Sequence, residues 1–232
     1  MKTNRTTILM ISSLLVISVG TGVPAITTAG GPEGLSPASP INRVCLLVDA
    51  TDSVNVPLPG GASRRDAYLS AVRSIIRAAQ RAGVPLVLGR VCGLTETLWN
   101  APVPLTRKDF ATIGMLLESA LKSCDGRTSA VPSARRVTGT DLVSGLDWLA
   151  RQADGCLLVG VTDGLHTEGT NPAVELLRAL DRVPRRAKDR LWLLGLDEGV
   201  RDGIAVRVPH SAGIFDLQTA TQQLTQTIMR GK

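Results

Sequence analysis

Aromatic side chains are scarce in this chain, at 3% of 232 residues. Proteins that hold single-stranded nucleic acid stack bases on aromatic rings, so this composition argues against a nucleic-acid partner. The net charge is +6, and its one local basic cluster lies at residues 182–190. We interpret that cluster as a solvated helix end, where Arg complements the helix dipole. With few rings available, the hydrophobic core has to be built mainly from Leu, Val, Ile and Ala.

Cysteine is also rare, and its spacing excludes the usual zinc sites. The four residues Cys45, Cys92, Cys124 and Cys156 contain no Cys-x-x-Cys pair. An even number of Cys in an exported chain permits two disulfides in three pairings. Cys45 and Cys156 each open an apolar strand, which is consistent with buried core thiols. Cys92 and Cys124 are the better candidates for a disulfide.

No apolar run reaches the roughly 20 residues that span a bilayer as a helix. The run at residues 8–23 follows Lys2 and Arg5 and precedes small residues suited to cleavage, which is the layout of a secretory signal peptide. We expect residues 1–29 to be a signal peptide and the protein to be exported: secreted, periplasmic or on the cell surface. An uncleaved N-terminal membrane anchor is the alternative, and only that alternative makes the membrane a partner.

Residues 30–42 are rich in Gly, Pro and Ser and lack periodicity, so they predict a flexible linker. Residues 43–230 then form one domain with a sizeable core. Apolar strands are predicted at 44–48, 85–92, 95–100, 156–162 and 190–196, with weaker ones at 204–208 and 213–215. Amphipathic helices are predicted at 64–82, 106–122, 141–153, 172–183 and 216–229. This alternation predicts an α/β fold with a mostly parallel sheet and right-handed crossovers.

Oxygen-bearing side chains follow the ends of two predicted strands. Asp49 opens an Asp-x-Thr-x-Ser pattern with Thr51 and Ser53, and Asp163 follows the strand at 156–162; Thr140 precedes a helix between them. In open α/β sheets ligands bind at the carboxyl ends of strands, and Mg²⁺ and Ca²⁺ prefer oxygen ligands. Two carboxylates would neutralise one divalent cation, while weak hydroxyl ligands would leave positions open. Each residue alone is better explained as a helix cap or turn than as a metal ligand.

Taken in order, these segments resemble the von Willebrand factor type A domain and its metal-ion-dependent adhesion site. The matching residues are Asp49, Thr51 and Ser53, then Thr140 in Thr-Gly-Thr-Asp, then Asp163 in Val-Thr-Asp-Gly. The family pattern has Ser where this chain has Thr51, which keeps the hydroxyl and adds a methyl. The resemblance covers essentially all of the folded part.

The resemblance implies a Rossmann-like three-layer sandwich, with a short antiparallel strand at 95–100. It also implies Mg²⁺, Mn²⁺ or Ca²⁺ held by the five matching residues, and a protein partner whose acidic side chain completes the coordination. The predicted function is therefore metal-dependent protein binding or adhesion, with no chemistry on the partner.

Two other functions fit the same residues. The segment 160–164 reads Gly-Val-Thr-Asp-Gly, the shape of a nucleophile elbow, so a hydrolase could use Thr162 with Asp197 and His210. Outside this hydrolase alternative, we interpret Asp197 as a loop residue. The other alternative is a metal-free α/β scaffold that uses the same fold for protein contacts.

Overall fold

The computed structural model describes residues 40–122 and 140–231. Its strands are β1 (Arg43–Asp49), β2 (Leu86–Cys92), β3 (Leu94–Asn100), β4 (Cys156–Val161), β5 (Leu191–Leu196) and β6 (His210–Gly213). Its helices are α1 (Arg64–Ala82), α2 (Arg107–Lys122), α3 (Leu142–Arg151), α4 (Pro172–Arg182), α5 (Arg185–Lys188), α6 (Glu198–Ala205) and α7 (Leu217–Arg230). Short 3-10 turns follow β1 at Asp52–Asn55 and β6 at Ile214–Asp216.

The strands form one sheet in the order β3-β2-β1-β4-β5-β6. Every neighbouring pair is parallel except β2 and β3, which are antiparallel. The predicted α/β class, the mostly parallel sheet and the short antiparallel strand are confirmed.

Helices cover both faces of the sheet. Alternate residues of each central strand point to opposite sides, and their apolar side chains make both faces hydrophobic. In β1, Val44, Leu46 and Val48 pack in the cluster that includes α1, α2 and α7. Cys45 and Leu47 pack in the cluster that includes α3, α4 and α6. Both clusters are mainly aliphatic, as the scarcity of aromatic residues predicted. Both faces of β1 are buried, and the strand ends at the rim of the sheet with a buried carboxylate, Asp49.

Local sequence signals set the ends of two helices. Helix α1 spans the predicted residues; the Ser63 side chain accepts a backbone N–H of its first turn, and Gly83 ends it with φ +64°. Such a left-handed residue is a common helix stop, and glycine adopts it without steric cost. At α2, Thr106 and Asp109 exchange side-chain and backbone hydrogen bonds, which form a capping box at the start of the helix.

The weaker strand predictions are wrong at 204–208 and misplaced at 213–215. Residues 204 and 205 belong to α6, and the edge strand is β6, which ends at Gly213. Ile204 and Val208 both bury against the α6 side of the sheet, and their spacing of four residues is helical. A short apolar run does not distinguish a strand from a helix segment.

The end of the predicted linker is hydrogen-bonded to the domain. Ile41 N donates to Gly231 O at 2.9 Å, and Asn42 N donates to Gly155 O at 3.0 Å. The predicted signal peptide and the rest of the linker lie outside the described residues and stay predictions. Across residues 40–122 and 140–231, the helices are too short or too polar to cross a membrane.

Candidate metal centre

The carboxyl ends of β1 and β4 meet at the topological switch point of the sheet. From β1 the chain continues to β2 on one side, whereas β4 pairs with the other side of β1. Open α/β sheets bind ligands in the crevice at such a point. Asp49 is the last residue of β1, and Asp163 lies two residues past β4. Since Val48 is in register with Val161, both carboxylates lie at this rim.

Asp49 organises the hydroxyl groups around it. Its Oδ1 accepts from Thr51 N at 3.0 Å and from Thr51 Oγ1 at 2.7 Å. Its Oδ2 accepts from Thr162 Oγ1 at 2.8 Å. The Oγ atoms of Thr51 and Ser53 lie 3.0 Å apart. Because Thr51 donates its hydroxyl hydrogen to Asp49, Ser53 is the donor in the contact between the two hydroxyls, and one lone pair of Thr51 Oγ1 remains for another group.

The spacing of the two hydroxyls fits a small divalent cation. Adjacent ligands of an octahedral Mg²⁺, at 2.0–2.1 Å from the ion, are separated by about 3.0 Å. Thr51 Oγ1 and Ser53 Oγ have this separation. The donor set consists of oxygen atoms only, as Mg²⁺, Mn²⁺ and Ca²⁺ require. Within the described ranges no three His, Cys, Asp or Glu residues form a metal cluster, so such a site would depend on its hydroxyls.

Asp163 is fully buried and is held by the turn that follows β4. Its Oδ1 accepts from Leu165 N at 2.9 Å. Gly164 makes this turn with φ +77°, and a Cβ there would meet Leu196 Cδ2 at 2.9 Å, so the position requires glycine. Gly164 N donates to Thr162 Oγ1 at 3.0 Å, which links the turn to the hydroxyl that contacts Asp49.

Thr140 joins this rim through its backbone. Thr140 N donates to Thr167 Oγ1 at 2.7 Å, and Thr167 N returns a bond to Thr140 O at 3.1 Å. His166 Nδ1 lies 2.9 Å from the same carbonyl oxygen. These bonds fasten the start of α3 to the loop after Asp163, and Thr140 is 4% exposed. The structure thus joins Asp49, Thr51 and Ser53 in a direct chain of hydrogen bonds and ties the backbone of Thr140 to the loop that follows Asp163.

The two carboxylates repel each other in a water-poor setting. Burial, and then the negative charge of Asp163, raise the pKa of Asp49 to about 6, against the opposing effect of hydrogen bonds from Thr51 and Thr162. The same two negative charges, with burial as the larger cause, raise the pKa of Tyr68. A cation bound between the carboxylates would relieve this repulsion.

Arg64 and Asp197 belong to this site, although neither was predicted to. The buried guanidinium of Arg64, the first residue of α1, donates from Nη1 to Asp163 Oδ2 at 3.3 Å and from Nη2 to Asp197 Oδ2 at 3.4 Å. Asp197 lies between β5 and α6, as expected of a loop residue, and its Oδ1 also caps α6 through Gly199 N at 3.0 Å. One feature of the sequence indicates these contacts. Arg64 lies in the first turn of α1, where a positive charge is unfavourable to the helix dipole, so a nearby carboxylate is expected to balance it.

The residues of the hydrolase alternative are not assembled. Thr162 Oγ1 donates to Asp49 and accepts from Gly164 N. His210 lies on β6, two strands away from β4, and stacks on Trp192 with ring centroids 4.5 Å apart. Asp197 faces Arg64 instead of His210. The structure therefore does not bring the three proposed triad residues together.

Two of the cysteines are core residues, as their positions suggested. Cys45 and Cys156 are buried and free. Cys124 lies outside the described residues, so a disulfide between Cys92 and Cys124 stays a prediction.

The sequence of this chain matches no known family profile and no curated protein. Solved structures do share its fold. The pilus adhesin SpaC from Lactobacillus rhamnosus GG aligns with a TM-score of 0.54 and 13% identity over 82% of this chain. The PilB minor pilin from Streptococcus sanguinis aligns with a TM-score of 0.53 and 11% identity over 81% of this chain. At these identities the likeness shows the fold alone.

A von Willebrand factor type A protein from Catenulispora acidiphila is also among the structural neighbours. It aligns with a TM-score of 0.49 and 13% identity over 83% of this chain. The chain spans 43% of that protein, 30% of SpaC and 61% of PilB.

Proposed function

We propose that this chain is an exported protein-binding module that binds its partner through a divalent cation at the carboxyl ends of β1 and β4. The observation that carries the proposal is the pair of hydroxyls, Thr51 Oγ1 and Ser53 Oγ, held 3.0 Å apart beside two buried carboxylates. Turns and helix caps explain each residue singly, but not the convergence of three separate loops at the switch point of the sheet. No chemistry on the partner is proposed, in keeping with the separation of Thr162 from His210.

The ligands would be Thr51, Ser53, Thr140, Asp49 and Asp163, which supply two negative charges and three neutral oxygens. Bound there, Mg²⁺, Mn²⁺ or Ca²⁺ would supply a positive point that attracts a carboxylate of the partner. Asp49 accepts a hydrogen bond from the Thr51 hydroxyl, which turns the free lone pair of that oxygen away from Asp49. Outer hydrogen bonds of this kind fix ligand orientation and affect metal affinity. Ser53 is half-buried, so it marks the side from which a partner can approach.

The loops beside the rim offer apolar contact area. Val56, on the loop after β1, is 55% exposed, and Leu165, on the loop after β4, is 37% exposed. Both loops leave the sheet at its switch point. Apolar side chains supply more than half of the contact area in typical protein interfaces, and the cation would add one charged contact. We therefore propose a protein partner that presents an acidic side chain within an apolar surface.

An extracellular or cell-surface location agrees with this function. The predicted signal peptide at residues 1–29 supports export, and a pilus adhesin and a minor pilin are among the proteins of similar fold. Adhesion is the form of protein binding that we propose.

The ion pair of Arg64 with Asp163 favours one alternative, a metal-free protein-binding scaffold. An array of acidic peptides, probed with Mn²⁺ and again with a chelator, separates the two. Metal-dependent binding predicts that peptides are retained with Mn²⁺ and released by the chelator. It also predicts loss of binding in Asp49→Ala but not in the matched control Asp147→Ala, since Asp147 is an exposed residue of α3. Retention in chelator would favour the scaffold, and no retention under either condition would reject this rim as a binding surface for acidic peptides.

A further inference from the structure

Arg64 is held at the rim by its position in the chain. The Ser63 cap fixes the start of α1, with Ser63 Oγ accepting from Asp66 N at 3.2 Å. Arg64 is 8% exposed, and its Nε has no hydrogen-bond partner in the described part of the chain. A guanidinium cannot lose its charge in a protein, so this buried cation has to be balanced by carboxylates.

The guanidinium contacts the oxygen of Asp163 that has no other hydrogen-bond partner among the residues that the structure describes. Asp163 Oδ1 is taken by Leu165 N, whereas Oδ2 receives Arg64 Nη1 at 3.3 Å. A divalent cation that used Asp163 as a ligand would need this same oxygen or would lie within a few ångströms of the guanidinium. Two cations cannot share a buried site without strong repulsion.

The second contact of Arg64 offers the guanidinium an alternative place. Nη2 lies 3.4 Å from Asp197 Oδ2, whose side chain is 41% exposed. Both ion pairs are longer than the 2.7–2.9 Å of a strong charge-assisted hydrogen bond. One guanidinium is therefore shared between two carboxylates at less than ideal distance from each, one buried and one at the surface.

We propose that Arg64 is a built-in competitor of the metal: it occupies Asp163 in the metal-free protein and moves onto Asp197 when a divalent cation binds. This inference rests on the proposed metal site and adds its regulation. Without metal, the Arg64 guanidinium balances the charge of Asp163 and so stabilises the fold. It also lowers the affinity of the site for a metal ion. That affinity then depends on Asp197, which receives the guanidinium when the metal binds.

Calorimetric titration with Mn²⁺ tests the competition. Arg64→Gln is expected to bind Mn²⁺ at least about tenfold more tightly than the wild type. The matched control Arg65→Gln removes a neighbouring positive charge that has no ion pair to Asp163, and we expect it to stay within about twofold of the wild type. Arg64→Met, which keeps an apolar stem of similar length, is the second variant if Arg64→Gln does not fold, and the same gain is expected.

The role of Asp197 is tested by a double-mutant cycle. Asp197→Asn keeps an acceptor for Gly199 N but removes the charge that receives the guanidinium. We expect it to weaken Mn²⁺ binding several-fold in the wild-type background and to have much less effect in Arg64→Gln. Equal effects in both backgrounds would show that Asp197 does not act through Arg64 and would overturn its part of the proposal.

The outcomes separate this inference from the proposed function. If the wild type and Arg64→Gln bind Mn²⁺ equally, the competition is refuted and the metal site stands. If only Arg64→Gln binds, the competition is supported and the native module is metal-free. If neither variant binds, both proposals fail. Thermal unfolding in chelator gives a readout without metal: Arg64→Gln is expected to melt below the wild type, because Asp163 loses its counter-ion.

Discussion

Thr162 and Asp49 are joined across β4 and β1 by a hydrogen bond of 2.8 Å from the Thr162 hydroxyl to Asp49 Oδ2. The same hydroxyl accepts from Gly164 N at 3.0 Å. A single buried oxygen thus connects one predicted metal ligand to the turn that holds the other. Its geometry follows from the register of β1 and β4, in which Val48 pairs with Val161.

Replacing Thr162 tests this connection. Thr162→Val keeps the shape but leaves Asp49 Oδ2 and Gly164 N without their buried partner, so we expect a loss of about 1–3 kcal/mol in unfolding free energy. Urea denaturation measures it. Thr162→Ser keeps the hydroxyl and loses one methyl, which should cost about 1 kcal/mol or less. Equal losses in the two variants would show that the hydrogen bonds contribute nothing.

Replacing Thr51 tests its role as an oriented ligand. Thr51→Ala removes one hydroxyl and the bond to Asp49, so Mn²⁺ affinity should fall about tenfold or more, in line with other disrupted metal shells. Thr51→Ser restores the residue of the family pattern and should bind at least as tightly as the wild type. Isothermal titration of both variants measures the difference. Unchanged affinity in Thr51→Ala would remove Thr51 from the ligand set.

Stability in chelator should depend on pH through Asp49. Its pKa is raised from 3.8 to about 6 in the folded protein, so the folded state binds more protons than the unfolded state between these values. Stability contributed by this group is therefore greatest below pH 4 and falls as pH rises through 6, by on the order of 1–3 kcal/mol. Other groups titrate in the same range, so the quantity to measure is the difference between wild type and Asp49→Asn.

That difference is obtained from denaturation curves at several pH values. We expect the wild type to lose stability relative to Asp49→Asn as pH rises from 4 to 6.5, and saturating Mn²⁺ to offset the loss. A flat difference, or one of opposite slope, would contradict the electrostatic account of the site.

The cysteines give a covalent test. Peptide mapping without reduction should show Cys92 linked to Cys124. Cys45 and Cys156 are buried and free, so a thiol reagent should label them only after denaturation. A linked peptide that contains Cys45 or Cys156 would refute this assignment.

The order of elements as far as β5, apart from the short helix α5, and three of the site loops could be predicted from the sequence. Strand β1 is a continuous apolar run that ends at Asp49, and ligands of open α/β sheets bind at the carboxyl ends of strands. Local rules also predicted the limits of α1, because Gly83 ends it. These signals act over a few residues and depend little on the rest of the fold.

Contacts across the sheet could not be predicted in this way. Arg64 meets Asp163 and Asp197 because β1, β4 and β5 are neighbours, an order that periodicity does not encode. Thr162 was considered as a nucleophile, whereas the strand register makes it a partner of Asp49. The error at residues 204–208 has a different cause, since five apolar-rich residues satisfy both a strand and a helix pattern.

The presence of a divalent cation at the rim is tested most directly by anomalous diffraction from crystals grown with saturating Mn²⁺. The account predicts one strong peak about 2.2 Å from both Thr51 Oγ1 and Ser53 Oγ, beside Asp163 and with Arg64 displaced toward Asp197. No peak there, with the Arg64–Asp163 ion pair intact, would contradict it.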